Sequence, residues 1–291
     1  MVHASTSAAY NRVPTLLLLG ASLDRQAHHH MCEQRLNGTT RADVWQPLSS
    51  RAHVKGVGIV LARSLVTRCV FAQSSRSLEL FYVFHPGAGA PPYFHMYAGV
   101  LNTSEIIREA RHMTDALLGR FPTHIVVDSS IWDVSKWWDQ GGHHHTWPPR
   151  RQIQRWCGHE VRALLAEVSA VFSRSRVAFR TAPVTAWQSP TKMNAGQDAP
   201  TIEVMTECIW NHTTRASPAS PPRLYGAYDM IPYHELVDRL IAEECDNGQV
   251  RGACVGRVWG DGRHPGPKAM GLYTDALLQW IAHPDAALYP F

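Results

Sequence analysis

Short apolar runs, each stopping on a small or polar residue and most leading into a helical pattern, constrain this chain more than any other feature. Val13 to Leu19 reads as a buried strand that stops at Gly20-Ala21-Ser22, with helical residues from Leu23 to about Leu36. Val54 to Leu65 and Leu78 to Phe84 are further strand candidates, and His124 to Asp128 and Val177 to Thr181 are short buried strands. Helical periodicity covers Thr103 to Leu118, opened by a cap at Asn102, and Arg151 to Phe172. It returns from Ile231 to Glu244 and from Gly266 to Ala282. Strands that alternate with helices predict a parallel sheet covered on both faces. The expected fold is therefore α/β, a three-layer α/β/α sandwich with a central, mostly parallel sheet. In such sheets ligands bind beyond the carboxyl ends of the strands. Ser22, Ser129, Thr181 and Asp261 all follow apolar runs and are candidates to face one crevice.

Length and composition fit this reading. The 291 residues, 45% of them hydrophobic, suffice for one large domain with a full core. The chain is expected to form a single domain over 1–291, with loop insertions at about 37–77, 139–150 and 188–228. A net charge of +4 with acids and bases intermixed gives no basic stripe, so no nucleic-acid partner is expected. No apolar run is long enough to span a membrane. No signal peptide is legible before Pro14.

Six cysteines permit three disulfides, and Cys245–Cys254, flanking Asp246-Asn247-Gly248, is the best local pair. Together with the sequons at Asn37, Asn102 and Asn211 they favour a secretory or extracellular location over a cytoplasmic one. No Cys-x-x-Cys pair occurs, so neither a cysteine zinc site nor a cofactor is expected.

Chemistry is concentrated at the two ends. Asp261-Gly-Arg-His264 can set a carboxylate on one imidazole nitrogen and leave the other free as a base. Ser22 stands where a strand turns into a helix. Alone it would be an ordinary N-cap. With Asp261 and His264 it completes a nucleophile, a base and an orienting acid.

Four blocks in order then resemble the SGNH (GDSL-like) hydrolase superfamily, closest to its PC-esterase-type branch. Gly20-Ala21-Ser22-Leu23 resembles Gly-Asp-Ser-Leu, and Arg25 matches the branch's Gly-Asp-Ser-x-x-Arg form. Asp128-Ser129-Ser130-Ile131-Trp132-Asp133 resembles its Asn-Ser-x-Leu-Trp-Asp block. Phe179-Arg180-Thr181-Ala182-Pro183 resembles its Trp-x-Thr-x-x-Pro strand end, and Asp261-x-x-His264 its last block.

The resemblance implies acyl transfer through a Ser22 ester, with His264 as base and Asp261 as its orienting acid. The acyl group would pass to water (esterase) or to a second hydroxyl (O-acyltransferase), from an O-acylated glycan or a small ester. It implies an oxyanion hole drawn from the Ser22 N–H, a glycine for which Gly99 is the candidate, and an asparagine. The asparagine's place is taken by Asp128, leaving Ser129 or Ser130 to donate. It implies support from Arg25, and substrate contacts from Trp132, Asp133 and Thr181. Asp133 is expected to make a structural hydrogen bond or ion pair, with Arg25 as the partner the pattern offers. Because Asp128 replaces the asparagine, the alternative is a catalytically impaired relative that binds a glycan or partner through a cleft lined by tryptophans.

Two histidine triplets, 28–30 and 143–145, are expected to be solvated rather than metal-binding, since consecutive helical residues point about a hundred degrees apart. His28, just after Ser22, is the member with a path to the cleft. Trp132, Trp137, Trp138 and Trp147 are expected to pack in the core and its loops, with a stacking platform for a sugar as the functional alternative.

Overall fold

The structure is a computed structural model that describes residues 13–42, 66–70, 78–85, 87–88, 103–140, 150–183, 199–214, 222–245, 258 and 265–283. The strand β1 (Thr15–Gly20) carries the run Leu16 to Leu19, every residue of it fully buried. A strand buried on both faces has no polar side to alternate with, which is why the run reads as continuous. Five parallel strands form the middle of the sheet in the order β4 (Glu79–Phe84), β1, β5 (His124–Asp128), β6 (Arg176–Arg180) and β9 (Tyr228–Ile231). Antiparallel strands flank them: β2 (Thr39–Ala42) and β3 (Val66–Val70) beyond β4, and β8 (Arg223–Leu224) and β7 (Thr213–Thr214) beyond β9.

Helices cover both faces, which makes the α/β/α sandwich. On one face α1 (Ser22–His30), prolonged by a π-helical turn (Met31–Arg35), packs with α7 (Tyr233–Cys245) and α8 (Pro267–Ala282) over Leu16, Leu18, Leu80 and Tyr82. On the other face lie α2 (Thr103–Leu118), α3 (Ile131–Gln140), α4 (Arg150–Arg155), α5 (Val161–Val171) and α6 (Ala199–Trp210). They bury Leu17, Leu19, Ile125, Val127 and Phe179. A π-helical turn (Trp156–Glu160) joins α4 to α5. Each of these aliphatic side chains contributes about 1.5–3 kcal/mol by leaving water.

The chain leaves β1 through α1 on one face and leaves β4 through α2 on the opposite face, to enter β5. Strand β1 lies between β4 and β5. Its carboxyl end is therefore the point where the winding of the sheet reverses, the place where ligands bind in sheets of this kind.

Several elements differ from the sequence expectation. Strands β2 and β3 and helix α6 lie inside stretches that carry no clear periodicity signal or read as loop. Helix α3 occupies the Ile131-Trp132-Asp133 block, and β9 precedes α7 where a helix from Ile231 is expected. Val54 to Leu65 lies outside the described residues. Two disulfides join Cys32 to Cys69 and Cys157 to Cys208, with Cα separations of 5.5 Å and 6.1 Å. The expected Cys245–Cys254 pair involves Cys254, outside the described residues.

Candidate functional site

Ser22 is the first residue of α1 and follows the carboxyl end of β1 directly. Ala21 caps the helix in an extended conformation without a side-chain hydrogen bond, and its carbonyl accepts the Arg25 N–H at 3.2 Å. The half-buried Ser22 thus stands at a helix N-terminus, where backbone N–H dipoles favour negative charge. Gly20 is required just before it. A Cβ there would meet Asp24 Oδ2 at 2.0 Å, because the Asp24 carboxylate folds back onto the strand end.

Under the serine lies a fully buried ionic cluster. Arg180, at the end of β6, donates to Asp24 through Nε at 3.1 Å and Nη2 at 2.8 Å. The same Nη2 sits 2.7 Å from Asp128 Oδ2, and Nη1 donates to the Thr181 carbonyl at 3.0 Å. The Tyr273 hydroxyl from α8 donates to Asp24 Oδ1 at 2.6 Å. Two carboxylates face one guanidinium here, and the paired acids hold Arg180 well above its ordinary pKa. Burial pushes Asp128 up to about 6, against the Arg180 charge and together with that of Asp24. The cluster ties α1, β5, β6 and α8 together beneath the crevice, so it fixes where the α1 N-terminus sits.

This arrangement engages both oxygens of Asp128. Its Oδ2 pairs with Arg180 and its Oδ1 accepts the Ser130 hydroxyl at 3.0 Å, so the side chain is an acceptor committed to the scaffold. Ser130 is spent on that bond. Ser129 donates to Asp133 Oδ2 at 2.6 Å and accepts the Ala88 N–H at 2.7 Å. Asp133 also accepts the Trp156 indole N–H at 3.3 Å, and a Cβ on Gly87 would meet its carboxylate at 2.5 Å. Ser129 therefore joins the segment after β4 to the end of β5, and Asp133 braces it. Arg25, its expected partner, is exposed on α1.

Thr181 is buried and structural. Its hydroxyl accepts the His234 N–H at 3.0 Å, which caps the start of α7. Trp132 packs half-buried, edge-on to Phe84 with ring centroids 6.0 Å apart, and Trp137 is buried against Trp156. His28 is buried rather than solvated. It faces Leu80 O near the start of β4 and Thr67 on β3, away from the carboxyl end of β1, and burial lowers its pKa to about 3. His29 is exposed.

Gly99, Asp261, His264, Trp147 and the triplet 143–145 lie outside the described residues, and so does the side chain of Trp138. On either side of the last block, buried Val258 and Gly266 are joined by a 2.6 Å hydrogen bond from the Gly266 N–H to the Val258 carbonyl, and Pro265 is buried.

Sequence reasoning passed over two residues at the end of β4. The His85 N–H donates to the Gly20 carbonyl at 2.9 Å, which sets His85 beside the β1 end. Its imidazole is buried, and burial lowers its pKa to about 4, so the ring is neutral near pH 7. The Gly87 N–H donates to Nδ1 at 3.2 Å, which leaves the ring proton on Nε2. Among the described residues Nε2 meets no acceptor at hydrogen-bonding geometry, although the Asp128 carbonyl favours the protonated ring. Gly87 has φ +120°, a conformation open to glycine.

No family model matches the chain, and no curated protein matches it. Solved structures similar to it include LAE5, an alpha/beta hydrolase enzyme from the metagenome of Lake Arreo, Spain. That match has 12% identity and a TM-score of 0.41, over 92% of this chain and 95% of the other. A putative GDSL-like lipase from Parabacteroides merdae matches with 11% identity and a TM-score of 0.41, over 90% and 94%.

Proposed function

We propose that the chain is a serine-dependent acyl-ester hydrolase or O-acyltransferase of the SGNH type, related to the PC-esterase branch and formed as one domain. The observation that carries this reading is the position of Ser22, the first helical residue after the central strand, at the switch point of the sheet. Ser22 Oγ attacks the ester carbonyl carbon while His264 takes its proton. The tetrahedral oxyanion collapses, the C–O bond to the alcohol breaks, and His264 returns the proton to the leaving oxygen. Asp261 orients the imidazole and balances its transient charge. Water or a second hydroxyl then takes the acyl group from Ser22.

The oxyanion needs donors aimed at it. The Ser22 N–H at the head of α1 is one. With Asp128 engaged as an acceptor, the Gly99 N–H that the resemblance implies is the second. Two disulfides, together with the sequons, support a secretory or extracellular setting, where O-acylated glycans or small esters are the substrate class we favour.

Fluorophosphonate labelling and p-nitrophenyl acetate turnover test the reading, and both are lost in Ser22→Ala. Turnover unchanged by that substitution overturns it. The engaged Asp128 favours one second reading, a catalytically impaired relative that binds a glycan through the same crevice; glycan binding without labelling would select it.

A further inference from the structure

On the side of the sheet away from α1, a second group of residues has ligand chemistry that the ester reaction does not use. Cys157 lies in the π-helical turn between α4 and α5. Such turns widen a helix by one residue and recur at functional sites. Cys208 lies on α6, and His212 lies in the turn just beyond that helix, where its N–H donates to the Ile209 carbonyl at 3.0 Å. One ligand atom from each of Cys157, Cys208 and His212 lies within 4.8 Å of the others. His212 Nε2 turns toward the widened turn, 3.9 Å from where a Cβ on Gly158 would stand. The Tyr225 ring packs against the imidazole at 5.4 Å, and the Tyr225 N–H donates to the His212 carbonyl at 2.9 Å, so the histidine is held in place. Beside it a cavity of about 220 Å³ has Cys208, His212, Glu207, Asn211, Gln154 and Arg150 among its lining residues.

Two sulfurs and an imidazole nitrogen match the donor set of zinc. Zinc takes sulfur at about 2.3 Å and nitrogen at about 2.0–2.1 Å in a tetrahedron. With three protein ligands, the fourth position opens into the cavity, where water or the Glu207 carboxylate can fill it. In the disulfide form the two sulfurs are bonded to each other and cannot act as thiolates.

We propose that Cys157, Cys208 and His212 form a redox-gated site for a thiophilic divalent cation of the zinc class. The site is closed in the disulfide form and opened by reduction. A dithiol reductant supplies two electrons and two protons; it is oxidised to its own disulfide, and the Cys157–Cys208 bond becomes two thiols. Cation binding then releases those two protons as the thiolates coordinate. The buried Cys157 and the half-buried Cys208 at the cavity wall give the gate a closed side and an open side.

The test is a Co²⁺ titration of the full chain, oxidised and then reduced with a trialkylphosphine. Reduced protein should develop the visible d–d bands of tetrahedral cobalt and thiolate charge-transfer absorption, both bleached by one equivalent of Zn²⁺. Oxidised protein should show neither. His212→Ala, an exposed position whose loss leaves the core intact, should lose the tetrahedral bands, as should Cys208→Ser. Absence of the bands in reduced wild-type protein overturns the proposal. So does their persistence in His212→Ala, or their presence in the oxidised form. Ester turnover and Ser22 labelling play no part in this readout.

Discussion

The residue that most alters the reading of the crevice is Asp128. From sequence it is an acid in an asparagine's place, a charge set against an oxyanion. In the structure its oxygens are taken by Arg180 and Ser130, and Arg180 is shared with Asp24. Nothing in the sequence announces that cluster except an arginine within a buried strand, which demands acidic partners without naming them. The folded pKa of Asp128 is raised from 3.8 to about 6 by burial first of all. The folded chain therefore binds a proton more tightly than the unfolded chain between those values. Its contribution to stability is full below about 3.8 and is lost as pH rises through about 6. Asp128→Asn should keep the fold, since Asp24 still pairs Arg180, and should remove this fall from the unfolding free energy measured across that range.

Among the elements, those legible in the sequence are the ones that packing makes unambiguous. β1, β5 and β6 are buried on both faces and read as continuous apolar runs, and α2, α5 and α8 carry broad apolar stripes. β2, at the edge of the sheet, and β3, between β2 and β4, are short antiparallel strands that take their pairing from neighbours rather than from their own pattern. α6 begins Ala199-Pro200, which reads as the end of a loop, although Ile202, Met205 and Ile209 already carry the helical stripe. Of the candidate site, Ser22 was legible through its strand-to-helix position. His85 and Gly87 were not, because their importance comes from the pairing of β4 beside β1, which no local signal encodes. The junction of β1 with α1 also makes a prediction. Gly20→Ala drives a methyl group into the Asp24 carboxylate and unseats it from Arg180. Unpairing a buried charge costs about 3–5 kcal/mol, readable as an equal loss of unfolding free energy in urea.

At the scale of the whole molecule, the structure joins distant parts of the chain. The Cys32–Cys69 disulfide closes a 37-residue separation between the end of α1 and β3. Replacing both cysteines with Ala should lower stability by about 3–4 kcal/mol in denaturant unfolding, the entropy of a loop of that length. Tyr273 reaches across 249 positions to Asp24, so α8, which follows the Asp261-to-His264 block, is clamped onto the helix that Ser22 opens. In the proposed mechanism the nucleophile comes from the junction of β1 with α1 and the base from the last block. Fluorophosphonate labelling followed by peptide mapping separates this from any other arrangement. A single residue, Ser22, should be modified, with labelling abolished in Ser22→Ala and sharply slowed in His264→Ala. Labelling at another residue, or labelling of Ser22 at a rate indifferent to His264, would contradict it.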